Sequence, residues 1–86
     1  MPVFSIQGKV SDVAREGNSA SFNMTDQYQK SDHIMISPLT KIYEGSVGAE
    51  FSYQDDLILP RDGEYVEIIG RKRDDGTVLA VNVMLP

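Results

Sequence analysis

Residues 63–85 read Gly63-Glu-Tyr-Val-Glu-Ile-Ile-Gly70-Arg-Lys-Arg-Asp-Asp-Gly-Thr-Val-Leu-Ala80-Val-Asn-Val-Met-Leu85. Two alternating, β-branched runs flank Asp75-Gly76, the dipeptide that best supplies the positive φ angles of a two-residue hairpin turn. With that turn, Asp74 stands opposite Thr77 and the rest of the register follows. Val66, Ile68, Gly70 and Lys72 then face Leu85, Val83, Val81 and Leu79 on the inner side. The outer side pairs Glu67 with Met84, Ile69 with Asn82, Arg71 with Ala80 and Arg73 with Val78. One face is nearly all apolar and the other mixed, as a half-buried antiparallel ribbon requires. Ile69, Val78, Ala80 and Met84 form an outer apolar patch, which the 44–62 connector would cover or a partner would meet.

The chain has 86 residues, enough for one domain. A domain of this size buries roughly 60–65% of its unfolded surface, so its stability is modest. It has no cysteine, which excludes a disulfide framework and a thiolate metal site. Polar residues interrupt 1–8 at every second step, so that segment is neither a signal peptide nor a membrane span. A cytoplasmic protein with no membrane partner is expected.

Net charge is −5, from 8 basic and 13 acidic residues, unevenly spread. Through residue 43, Lys9, Arg15, Lys30 and Lys41 balance Asp12, Glu16, Asp26 and Asp32. In 44–67, Arg61 faces Glu44, Glu50, Asp55, Asp56, Asp62, Glu64 and Glu67, an acidic segment that would repel a phosphate backbone. Arg71-Lys72-Arg73 is the basic cluster. In the register above, Arg71 and Arg73 project outward together. Lys72 falls on the inner face, where the barrel mouth lets its ammonium reach water.

Upstream, 3–13 alternates Phe4, Ile6, Gly8 and Val10 against Ser5, Gln7, Lys9 and Ser11. That is a strand, with Gly8 read as a bend or bulge. After Val10 the phase shifts to Val13, as in a strand that curls. Residues 14–18 read as a turn of three to five residues, with Gly17 or Asn18 left-handed. Ala20, Phe22 and Met24 then face inward and Ser21, Asn23 and Thr25 outward, completing a first hairpin. Residues 26–32 are a polar loop, and 33–37 a short strand ended by Pro38, which cannot donate to a ladder. Residues 39–43 continue that strand beyond a kink. Segment 44–62 fits either a short helix near 49–57 or an irregular fourth strand. The fold class is therefore all-β, a small five-stranded antiparallel barrel with room for one short helix between strands three and four. Closure removes its exposed edges.

This arrangement resembles the OB-fold, the five-stranded Greek-key barrel that binds oligonucleotides and oligosaccharides. The likeness rests on the glycine in the first long strand, the variable connector after strand three, and Leu59-Pro60-x-x-Gly63-x-x-Val66-x-Ile68-x-Gly70-Arg71 followed by Asp75-Gly76-Thr77. It covers most of the chain, and residues 1–86 are expected to form one OB-like domain. The resemblance implies a ligand face on the outer side of the first three strands and adjoining loops. That surface offers Lys9, Arg15, Asn23, Thr25, Tyr28, His33, Met35, Arg71 and Arg73. Single-stranded nucleic acid is the ligand so implied, because such binders join a cationic track to aromatic platforms, each stacked base contributing roughly 1–3 kcal/mol. The chain departs from that recipe where Phe4 and Phe22 point inward and where Asp74 and Asp75 adjoin the basic cluster. The alternative is a protein-interaction or homodimerising module that uses the acidic 44–67 segment and the apolar patch.

No enzyme is expected. His33, the single histidine, follows Asp32, and neighbours in a strand point to opposite faces, so the two cannot form an oriented acid–base pair. No nucleophile elbow surrounds any serine. Asp55-Asp56 and Asp74-Asp75 lack the spaced acidic pattern of a calcium loop, and Gly45-Ser-Val-Gly48 lacks the lysine of a phosphate loop. No metal or other cofactor is expected.

Overall fold

The computed structural model describes residues 3–44, 50–51 and 59–85. Among these, seven strands follow one another: β1 (Val3–Glu16), β2 (Ser19–Thr25), β3 (Ser31–Ile36), β4 (Lys41–Glu44), β5 (Glu50–Phe51), β6 (Tyr65–Lys72) and β7 (Val78–Leu85). The five long ones close a barrel in the ring order β1-β2-β3-β7-β6 and back to β1. The all-β expectation holds, and no helix occurs among the described residues. Of the alternatives for the connector, Glu50–Phe51 pairs with β4 as a strand; residues 45–49 and 52–58 lie outside the described set, and so do the side chains of Phe51, Tyr53 and Leu57.

The expectation of purely antiparallel pairing is corrected. β3 and β4 both run parallel to β7, through Ile34↔Val78 and Ile42↔Val83. The reason is geometric. Around a closed ring with an odd number of strands, alternating directions cannot all be satisfied, so one seam must be parallel. β4 continues β3 along β7 after the kink, as the sequence suggests. Pro38 leaves the ladder without a donor there, and the Thr40 hydroxyl fills in by donating to the Ala80 carbonyl at 2.7 Å.

The decisive hairpin is right at its open end and shifted at its turn. Glu67↔Met84, Ile68↔Val83 and Ile69↔Asn82 stand as expected, but Gly70 pairs with Ala80, Arg71 with Leu79 and Lys72 with Val78. Gly76 takes φ 91° and Asp75 stays out of the left-handed region, so the loop lengthens to three residues, 74–76. It is closed by the Arg73 N–H to Thr77 carbonyl bond at 2.7 Å. A bulge at Val81 absorbs the extra residue, and the phase of β7 flips across it. Val78 and Ala80 therefore point into the core, at 0% and 3% exposure, and leave the outer apolar patch. The Asp75 carboxylate braces the loop by accepting from the Thr77 hydroxyl and amide, which hold its pKa below the ordinary carboxylate value.

β1 bends by a bulge too, though not at Gly8. Ser11 faces Asn23 and Ala14 faces Ser21, so Asp12 and Val13 together oppose Phe22. Asp12 sits at φ 54°, a region that aspartate tolerates better than most residues. Gly8 is instead a point of close approach, because a Cβ there would lie 2.5 Å from the Thr25 carbonyl oxygen. The first turn is tighter than expected, with β1 running to Glu16 and only Gly17 and Asn18 in the loop; Gly17 takes the positive φ. Phe22, Ile34, Ile68, Val78 and Val83 are wholly buried at the centre, and Phe4, Ile6, Val13 and Leu59 pack around them.

Candidate nucleic-acid interface

Strand alternation puts Ser21, Asn23 and Thr25 of β2 and Ser31, His33 and Met35 of β3 on the outside, between buried Ala20, Phe22, Met24, Ile34 and Ile36. The ladders align them in rows. One row runs Ser11–Asn23–His33 and the next Ala14–Ser21–Met35. Lys9 stands opposite Thr25, which stands opposite Ser31, in a third row.

Ring closure carries the second row onward. Met35 pairs with Leu79 and Leu79 with Arg71, so Arg71 lies two strand spacings from Met35, about 10 Å. Arg73 pairs with Thr77, one residue before the Val78 that neighbours Ile34. Arg71 and Arg73 are therefore on the wall that continues the β2–β3 face, and both are exposed. Lys72 projects inward at the barrel mouth, as expected, and its ammonium lies 3.5 Å from the Asp32 carboxylate.

A hydrogen-bonded chain crosses the middle row, and it was not legible in the sequence. The Asn23 amide nitrogen donates to Asp12 Oδ2 at 3.1 Å. Its carbonyl oxygen is then the acceptor towards His33 Nδ1, 2.8 Å away. An amide oxygen cannot donate, so Nδ1 carries the proton and Nε2 is left available. The partner of His33 is thus Asn23 across the ladder, while Asp32 faces the opposite way, towards Lys72. Only the bulge brings Asp12 to this face, and no local pattern announces it.

Two expected contributors lie elsewhere. Arg15 stands opposite the buried Ala20, and its Nε donates to the Gly17 carbonyl at 3.0 Å, so the turn holds it off the outer face. Tyr28, in the 26–30 loop, and Tyr65 line one open groove with Ser5, Ile6 and Gln7 of β1. Tyr65 pairs with Lys9, six residues along β6 from Arg71, or about 20 Å. The aromatic and arginine ends of the surface are therefore well separated, with Lys9, Asn23 and His33 between them.

No protein-family model and no curated protein matches the chain. Among solved structures, the crystal structure of Ag(I)CusF is similar over 100% of both chains, with a TM-score of 0.59 and 11% sequence identity. At that identity the likeness is one of fold, and it supports a small closed β-barrel.

Proposed function

We propose that the chain is an OB-fold binding module without enzymatic activity, and that it holds single-stranded nucleic acid on the outer face of β1–β3 and the adjoining β6–β7 turn. The ring order β1-β2-β3-β7-β6 supports the fold name. The observation that carries the ligand is the placement of Arg71 and Arg73 across β7 from His33 and Met35. In this reading the arginines contact phosphates, Asn23 and the His33 Nε2 meet base edges, and Lys9 extends the cationic track towards Tyr28. The net charge of −5 makes binding weak and dependent on those few cations. The bulge takes Val78 and Ala80 out of the apolar patch of the docking alternative but turns Leu79 outward in their place, so Ile69, Leu79 and Met84 are half-buried on that side and the alternative rests on a changed patch.

Titration of a labelled oligothymidine at two salt concentrations tests the reading. Each phosphate contact on a single strand contributes about 0.7 to the slope of log affinity against log salt. The Arg71→Ala/Arg73→Ala variant is expected to lower that slope by about 1.4 and weaken binding on the order of tenfold at low salt. No binding by the wild type at low salt, or unchanged affinity in the double variant, rejects it.

A second reading starts from the silver(I) named in Ag(I)CusF. His33 and Met35 share one side of β3, and the available Nε2 and thioether are donors that suit soft cations. Met24 adds nothing, being buried at 2% exposure. Silver(I) titrated into the protein should shift the His33 ring resonances, and His33→Ala or Met35→Leu should weaken binding at least tenfold. Silver binding that neither substitution alters would dismiss this site.

A further inference from the structure

An open groove of about 360 Å³ lies away from the arginines, and of its lining the nucleic-acid reading uses Tyr28 alone. Ser5, Gln7, Asp26, Gln27, Tyr28 and Tyr65 line it. Tyr28 is 80% exposed and Tyr65 55%, two aromatic rings left to water in one concavity. Tyr28 is nonetheless firmly placed. Asp26 Oδ1 accepts from the amides of Tyr28 at 2.8 Å and Lys30 at 3.0 Å. The Asp26 carbonyl accepts from Gln29, and the Asp26 amide donates to the Lys30 carbonyl. A ligand docking there would not have to order the loop first, so its binding loses little to entropy.

The Ser5 hydroxyl and the Gln7 amide nitrogen both donate to the Glu67 carboxylate at 3.1 Å. This leaves the Gln7 carbonyl, the Ser5 lone pairs and the second Asp26 oxygen as acceptors in the lining, with the Glu67 carboxylate just beyond it, while one Gln7 N–H, the Gln27 amide and the tyrosine hydroxyls can still donate. Among the described residues no cation lines the groove; Lys9, opposite Tyr65 in the ladder, stands outside the lining, as Glu67 does. The Asp26 carboxylate in the lining and the Glu67 carboxylate beside it, next to two aromatic faces, repel phosphate and attract a cation rich in N–H donors. A guanidinium meets both demands, since it stacks on aromatic rings and forks onto carboxylates.

We propose that this groove docks an arginine side chain presented by a basic segment of a partner protein. The guanidinium lies against Tyr28 and Tyr65 and donates towards Asp26 in the lining and Glu67 just beyond it. The site has the opposite charge preference to the Arg71–Arg73 face and shares Tyr28 with the proposed nucleic-acid function, so peptide and oligonucleotide titrations tell the two apart.

The test is an NMR titration of the whole protein with a blocked glycine peptide carrying two arginines, against a matched peptide with norleucine in their place. The arginine peptide should saturably shift the Tyr28 and Tyr65 ring resonances, and the norleucine peptide should not. Tyr28→Leu and Tyr65→Leu should each weaken binding about two- to fivefold, while Tyr65→Phe, which keeps the π face, stays near wild type. Glu67→Gln should weaken binding and reduce its salt dependence. Equal shifts from the norleucine peptide, an equal loss in Tyr65→Phe and Tyr65→Leu, or a groove that responds to an oligonucleotide and not to the peptide, would overturn the proposal.

Discussion

Phe22→Ala is expected to lower the unfolding free energy by about 3–5 kcal/mol, the range for removing a large aromatic from a rigid core. Phe22 is the largest of the fully buried side chains, at 0% exposure, in a cluster drawn from β1, β2, β3, β4, β6 and β7. Those strands are locked to one another around the ring and cannot collapse into the void. At 86 residues the whole domain has about 4–13 kcal/mol of stability, so the variant sits near the edge of folding. Urea denaturation followed by circular dichroism measures the loss, and Phe22→Leu should lose markedly less because it leaves a smaller cavity. A loss below about 1 kcal/mol for Phe22→Ala would mean that the barrel interior is not packed as described.

Gly8→Ala is expected to cost about 1–3 kcal/mol or more, an unusually large effect for one methyl group on the sheet. The added Cβ would stand 2.5 Å from the Thr25 oxygen, 2.8 Å from the Thr25 carbonyl carbon and 2.9 Å from Met24 Cγ. Two of those atoms are backbone. Moving them strains the pairing of Lys9 with Thr25, and moving Gly8 instead disturbs its pairing with Val66. Gly17→Ala is the informative contrast. It meets nothing within 4 Å and suffers only from φ +59°, so it should cost about 1–2 kcal/mol, and for a conformational reason. Denaturation midpoints of the two variants separate the effects. A Gly8→Ala protein as stable as wild type would show that β1 and β2 do not approach so closely.

Alternation of apolar and polar residues is a local property, and it was readable wherever a strand has one wet face. It located the two hairpins, the inward set Phe22, Met24, Ile68 and Val83, the phase change after Val10 and the inward Lys72. The bulge at Val81 escaped it. Whether Asp75-Gly76 makes a two- or a three-residue loop turns on the φ that Asp75 adopts, and the choice decides which side of β7 faces the core. Val78 and Ala80 read equally well as an outer patch until ring closure against β3 makes them interior. Gly8 looked like a bend because a sequence shows that a side chain is missing, not which neighbouring backbone occupies its place.

The surfaces divide along the same line. That Asn23 and His33 point outward follows from residue period alone. Their linkage through Asp12, the approach of Arg71 to Met35 across Leu79, the removal of Arg15 by the Gly17 carbonyl and the sharing of one groove by Tyr28 and Tyr65 required the folded chain. Each joins residues distant in sequence whose relative position depends on strand stagger and on where bulges insert an extra residue. Periodicity determined the faces of this protein; closure of an odd-numbered ring decided which residues share them.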